Sequence, residues 1–370
     1  MLISYLNGLS DCNTRPTDFL GDDSVKGIDA SGAVARRPAD SDSMPVRLIW
    51  AAGRWLVMAA TLLVLAGLWY RPEPTLTILW GLLIPILPAS FFITPQWWRG
   101  VCPLATTNQW FGTRFGTVHL TGRWLAVANT LGILLLALMV PARHLVFNMD
   151  GPVLALTIGA IVVAAAAMGI VFDARAGFCN SICPVLPVER LYGQRPLVHL
   201  DNFRCHPCVH CIGKGCLEID QPKSIQYAVR PSDGSTHWLA TSYGVFAAGL
   251  PGFIVGYFTT GDIPAAEIDI VRDASLVYGW IAACSVVSYL VTASIVWLGG
   301  MTRETTLVVL AAAAGFLYYW WGAPLIARTL QLPPEAAWPA RLLFFLLVAL
   351  WFARWPVTDS RRSLRVFESL

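Results

Sequence analysis

The stretch GPVLALTIGAIVVAAAAMGIVF, residues 151–172, contains no charged side chain. As an α-helix it would rise about 33 Å, enough to cross a hydrocarbon layer about 30 Å thick. Lipid offers no hydrogen bonds, so a segment of this kind satisfies its backbone by becoming helical. Working outward, seven more stretches read the same way, at about 47–70, 75–94, 121–141, 238–258, 274–298, 305–327 and 337–355. Pro85 and Pro88 interrupt the one at 75–94 and weaken its reading as a continuous helix.

The composition agrees with this reading. Of 370 residues, 56% are hydrophobic and 13% charged, and the mean hydropathy is +0.57. Soluble domains carry about 25% charged residues. These values exclude an ordinary soluble enzyme, a disordered chain and a nucleic-acid-binding protein. The predicted fold class is an all-α polytopic membrane protein with about eight transmembrane helices and a small cytoplasmic, ferredoxin-like, cysteine-rich insert. Residues 1–45 read as a flexible tail with seven Asp and no signal-peptide pattern, and Met44 is an alternative start. Residues 46–172 hold four spans, 173–237 the cysteine-rich segment, 238–355 four more spans, and 356–370 a basic tail.

Lysine and arginine set the orientation. With the N-terminus inside, twenty fall on the inner side and five outside: Arg71, Arg143, Arg272, Arg328 and Arg341. Arg54 lies within the first span. This predicts a bacterial inner-membrane protein with both termini cytoplasmic. The outer loop 259–273 carries Asp262, Glu267, Asp269 and Asp273 and reads as a solvated acidic face.

Nine cysteines are present, and six of them lie between residues 179 and 216. On the predicted orientation these six and Cys102 share the reducing cytoplasmic side, where structural disulfides are disfavoured. Cys12 falls in the tail and Cys284 in a span, and neither suggests chemistry. The other seven fall into two patterns. One is an apparent duplication with an offset of 81 residues. Trp98-Arg-Gly-Val-Cys102-Pro103 runs on to Phe111-Gly112-Thr-Arg114, and Cys179-Asn-Ser-Ile-Cys183-Pro184 runs on to Tyr192-Gly193-Gln-Arg195. Trp98 stands where the second copy has Cys179. The other pattern is Cys205-His-Pro-Cys208-Val-His-Cys211-Ile-Gly-Lys-Gly-Cys216. Three thiolates at this spacing wrap one corner of a cubane, each binding a separate iron. Zinc is the competing reading, but its ligands usually come as two separated pairs. His206 and His210 alternate with the thiols and read as neighbours of the site, not ligands.

One [4Fe–4S] cluster is therefore expected, with Cys205, Cys208 and Cys211 as ligands. The fourth ligand is Cys216 if closure is local, or Cys183 or Cys102 if these cross over. A second cluster would use the remaining cysteines of the set Cys102, Cys179, Cys183 and Cys216, with an open iron or a non-cysteine ligand if needed. Over about residues 46–225 the chain resembles the membrane-bound ferredoxin-type 4Fe–4S proteins of periplasmic nitrate reductase, methylamine utilisation and nitrous-oxide respiration. Cys102-Pro103, Cys179-x3-Cys183-Pro184 and the Cys205–Cys216 run carry the resemblance. It implies electron transfer between a quinol pool or cytoplasmic donor and a redox partner.

None of the six histidines lies in the middle of a span, so no intramembrane haem is expected. Without one, the chain is expected to pass electrons along the inner face, to a membrane redox complex or a soluble carrier. Gln96-Trp97-Trp98-Arg99 could frame a quinone headgroup, against the plainer reading of an interfacial aromatic belt. Tyr318-Tyr319-Trp320-Trp321 reads as packing or belt. The chain reads as an electron-transfer subunit more than a stand-alone enzyme. The alternatives are a redox-sensing or assembly protein with a cluster, and a zinc-stabilised structural subunit of a membrane complex.

Overall fold

A computed structural model describes residues 44–112, 114–118, 122–172, 177–198, 200, 221–230, 237–261 and 269–368. Among these residues there is no strand, only an isolated bridge between Val118 and Phe172. Helix α1 is Met44–Tyr70 and α2 is Pro72–Ile93; the short α3 (Pro95–Val101) and α4 (Pro103–Gly112) follow. Next come α5 (Gly122–Met139), α6 (Gly151–Val171), α7 (Leu186–Tyr192) and α8 (Gln221–Ala228). The second half consists of α9 (Ser242–Thr259), α10 (Ile270–Gly299), α11 (Arg303–Thr329) and α12 (Ala337–Glu368).

Seven helical segments are long and apolar enough to cross a membrane: Leu48–Tyr70, Pro72–Ile93, Trp124–His144, Gly151–Val171, Val271–Gly299, Arg303–Thr329 and Pro334–Arg354. The fold is thus all-α and polytopic, with seven such helices among the described residues against an expectation of about eight. The exception is the stretch at 238–258. It forms α9, 18 residues long and about 27 Å in rise. Its glycines, tyrosines and Pro251 dilute its apolar character, and it packs in the protein core. Gly249, Gly252 and Gly256 face α10, and a Cβ at Gly252 would overlap the carbonyl oxygen of Cys284. Small residues at this spacing let two helix backbones approach closely. The other side of α9 contributes Tyr243, Ala247, Leu250 and Ile254 to the largest core, with Phe92, Leu191 and Tyr319.

Helix α2 tolerates its prolines. A π-helical turn at Leu79–Leu83 precedes Pro85, and the Pro85 carbonyl accepts the Tyr319 hydroxyl at 3.1 Å. A partner outside the helix thereby uses a backbone group near the proline bend. Tyr319 is fully buried and stacked on Phe344, while Arg341 lies over the Trp320 and Trp338 rings. The Tyr318–Trp321 stretch therefore combines core packing with a surface cation–π clamp. Before α10, Asp269 caps the helix by accepting from Val271 and Arg272, and Asp273 accepts from the Asp269 N–H. Asp262 and Glu267 lie outside the described residues.

Candidate functional site

The two Cys-Pro motifs are built alike. Helix α3 ends at Cys102 and α4 starts at Pro103; a π-helical turn at Phe178–Ile182 ends at Cys183, ahead of Pro184 and α7. Cys102 has φ −54°, ψ 129° and Cys183 φ −57°, ψ 123°. Proline disfavours the helical region for the residue before it, and both cysteines turn out of their helices in the same way.

The two copies meet face to face. Arg99 Nη2 donates to Asn180 Oδ1 at 2.6 Å, and those two positions are separated by the repeat offset of 81. Cys102 and Cys183, also 81 apart, are electrostatic neighbours, as are Cys183 and Cys179. Contact between equivalent positions is what two copies related by a local two-fold produce. Cys102 and Cys179 are buried with Ala105, Ala165 and Phe178, and Trp98, Met168 and Cys183 pack against them.

Cys102 and Cys179 are buried and Cys183 is part-buried, in a partly polarised place. Burial pushes Cys102 up to about 12, against N–H donation from Ala105 and Leu104. Burial also pushes Cys183 up to about 12, reinforced by Cys179 and opposed by the Val185 N–H and the Arg99 guanidinium. Arg99 Nη1 forms an ion pair with Glu189 Oε2 at 2.9 Å, with both side chains about 5% exposed or less. Thiols of this kind are poor nucleophiles. They suit a soft, thiophilic metal that displaces the protons on binding. The backbone N–H groups aimed at sulfur fit a cluster ligand, whose potential such bonds tune.

The structure therefore brings together Cys102, Cys179 and Cys183. They lie as a chain of neighbours, and among the described residues no three His, Cys, Asp or Glu side chains surround a common point as metal ligands would. Cys205, Cys208, Cys211 and Cys216 lie outside the described residues. Cys284 lies apart, in the α9–α10 contact.

Both described flanks of the 201–220 segment are tied to elements that adjoin the two Cys-Pro motifs in sequence. Leu197 and Val198 donate to the carbonyls of Phe92 and Ile93, at 3.0 and 2.8 Å, just before α3. On the return side, Ser224 of α8 accepts from Arg190 Nε at 3.1 Å, and Arg190 Nη1 also donates to Asn129 of α5 at 2.8 Å. Arg190 lies seven residues beyond Cys183. Gln226 further ties α8 to Glu304 at the start of α11.

Three polar residues at this site have roles that the sequence patterns did not suggest. Asn180 and Glu189 form a buried network with Arg99, which the sequence placed in a stretch read as an interfacial belt or a quinone-headgroup frame. The signal was available in part, because the offset of 81 pairs Arg99 with Asn180. Of the Gln96–Arg99 stretch, Gln96 and Arg99 are buried and Trp98 packs on the thiols; Trp97 alone is exposed. No family model, curated protein or solved structure matches the chain.

Proposed function

We propose that the chain is a membrane-anchored iron–sulfur electron-transfer protein of the ferredoxin-type group that it resembles. It relays electrons at the cytoplasmic face between a quinol pool or soluble donor and a partner redox complex. The observation that carries this reading is the meeting of Cys102, Cys179 and Cys183 from two copies of one motif. The bonds that tie both described flanks of the 201–220 segment to elements adjoining the two Cys-Pro motifs add to it.

Cys205, Cys208 and Cys211 hold one [4Fe–4S] cluster, closed by Cys216, Cys183 or Cys102. The remaining thiols offer a second site. When bound, the cluster supplies a one-electron carrier. The surrounding residues exclude water from the Cys102–Cys183 pair, donate N–H groups to its sulfurs and place Arg99 against it. The site lies on the side with twenty of the Lys and Arg residues, which makes it cytoplasmic in an inner membrane with both termini inside.

Anaerobic purification with iron and acid-labile sulfide determination tests the reading. Stoichiometric iron and sulfide are expected, and Cys208→Ser should abolish the visible absorbance and the low-temperature EPR signal. Zinc without sulfide would replace the reading with a structural zinc subunit. A cluster that neither quinol nor reduced ferredoxin reduces at catalytic speed would point to a sensing or assembly role.

A further inference from the structure

Where α1 turns into α2, the chain meets the start of α6. A Cβ at Gly151 would strike the Leu68 carbonyl oxygen and the Pro72 side chain, so the α6 N-terminus is seated on that turn. The corner lies at the end of α1 away from the Cys-Pro motifs, because Trp50 and Gly53 at the other end pack against Gly100 and Val101. Below the corner, α1 and α6 leave an open groove of about 390 Å³, lined by Leu65, Ala66, Trp69, Tyr70, Ala155 and Leu156. Two alanines among larger side chains leave this space. Its floor is firm, since Leu65 and Ala155 also pack with Leu68, Leu76 and Leu154. Trp69 and Tyr70 are exposed at its upper end, and such rings settle at the level of lipid headgroups. From Tyr70 down to Leu65 the helix drops about 8 Å, so the rest of the groove faces hydrocarbon.

The rim of the groove carries both signs of charge. Arg71 stands in the α1–α2 turn, Glu73 in the first turn of α2 and Asp150 at the α6 N-cap, and all three are exposed. One Asp150 oxygen accepts from the Val153 N–H at 2.9 Å. Among the described residues, none of the three is in an ion pair, with one another or with any other side chain. A guanidinium held apart from two carboxylates matches a headgroup that itself carries both signs, a phosphate next to a primary ammonium. A headgroup with a phosphate alone would meet two carboxylates against one guanidinium. We propose that this corner binds one phospholipid of the phosphatidylethanolamine class. Arg71 takes the phosphate, Glu73 and Asp150 take the ammonium, and the start of one acyl chain fills the α1–α6 groove. The site is independent of the cysteines and of what they hold.

The test incubates the full-length protein, purified in mild detergent, with equal amounts of phosphatidylethanolamine and phosphatidylglycerol of the same chain length. Native mass spectrometry then counts the bound lipid. One phosphatidylethanolamine should be retained in preference to phosphatidylglycerol. Ala66 is exposed, so Ala66→Leu extends a side chain into the groove without disturbing the core, and it should lower retention of both lipids. Arg71→Gln should lower retention of phosphatidylethanolamine about fivefold, the upper worth of one exposed ion pair. Glu73→Gln combined with Asp150→Asn should remove the preference between the two lipids. Asparagine still caps a helix, so that result would not come from a lost α6 N-terminus. Equal retention of the two lipids by the unmodified protein, or unchanged retention in Ala66→Leu and Arg71→Gln, would overturn the proposal. So would a dimer or a copurifying polypeptide that Ala66→Leu releases, because the groove would then hold protein.

Discussion

Cys102 and Cys183 are thiols that burial keeps protonated, and this has a measurable consequence in the metal-free chain. An exposed cysteine at pH 8 is ionised to a substantial fraction; one pushed up to about 12 is ionised to about one part in ten thousand. Alkylation proceeds through the thiolate, so these two sites should label roughly a thousandfold more slowly than an unfolded control. Mass spectrometry after timed iodoacetamide exposure reads this directly, and rapid native-state labelling of Cys102 would contradict its burial. The same shift links stability to alkali. Well below pH 8 the thiol is protonated in both folded and unfolded chains, and its contribution is complete. Between pH 9 and about 12 only the unfolded chain ionises, so folded stability falls as pH rises through that window. At this scale the sequence was half legible. The Cys-Pro repeat announced that Cys102 and Cys183 are equivalent. It could not announce that Arg99 bonds Asn180 and Glu189, because a partnership across an interface leaves no local pattern. Gln96, Trp98 and Arg99 read as parts of one belt or one quinone frame; they separate from Trp97 because α3 exposes only one face.

The elements were legible wherever lipid dictated their composition, and less so where protein did. Helices α1, α5, α6, α10 and α12 show mostly apolar side chains to the outside, so hydropathy finds them. Helix α2 survives two prolines because its surroundings supply partners for its bent backbone. Helix α9 inverts the rule: packed against α10 on one side and the core on the other, it uses glycine where a lipid-facing helix would use leucine. The glycine positions give a contrasting pair of predictions. Gly252→Ala would drive a Cβ into the Cys284 carbonyl and force the two backbones apart, a loss of about 1–3 kcal/mol. Gly249→Ala meets its nearest atom, the Ser285 carbonyl oxygen, at 3.5 Å, which is ordinary contact, and it gains helix propensity. Thermal unfolding in detergent should therefore fall for the first variant and hold or rise for the second. Equal behaviour would mean that the α9–α10 contact is looser than described.

For the whole molecule, the question that joins fold to function is which face carries the thiols; the first half decides it, and α9 decides whether the second half returns to the same side. Its hydropathy falls short of a lipid-facing span, yet its contacts run antiparallel along α10 from end to end. Ser288 donates to the Ala248 carbonyl at 2.7 Å, a Cβ at Gly256 would touch Ile281, and Trp280 donates to Thr259 at 2.9 Å. A helix packed lengthwise against a membrane span occupies the same layer, with its polar atoms answered by protein instead of lipid. If α9 crosses, eight crossings return the chain to the side it started from, and the turn at Pro334–Ala336 faces outward together with Arg71. If α9 does not cross, Arg71 stays outside but the 334–336 turn moves inside. Single cysteines at exposed Arg71 and Glu335 separate these cases when spheroplasts are treated with a membrane-impermeant maleimide. Both should label in intact spheroplasts, above the background of a chain with neither substitution. A cysteine at Arg303, at the start of α11, should label only after permeabilisation. Labelling of Arg71→Cys but not Glu335→Cys would show α9 to be re-entrant. Failure of Arg71→Cys would reverse the first half and move the Cys102–Cys183 thiols to the oxidising side, where disulfide formation would compete with any cluster.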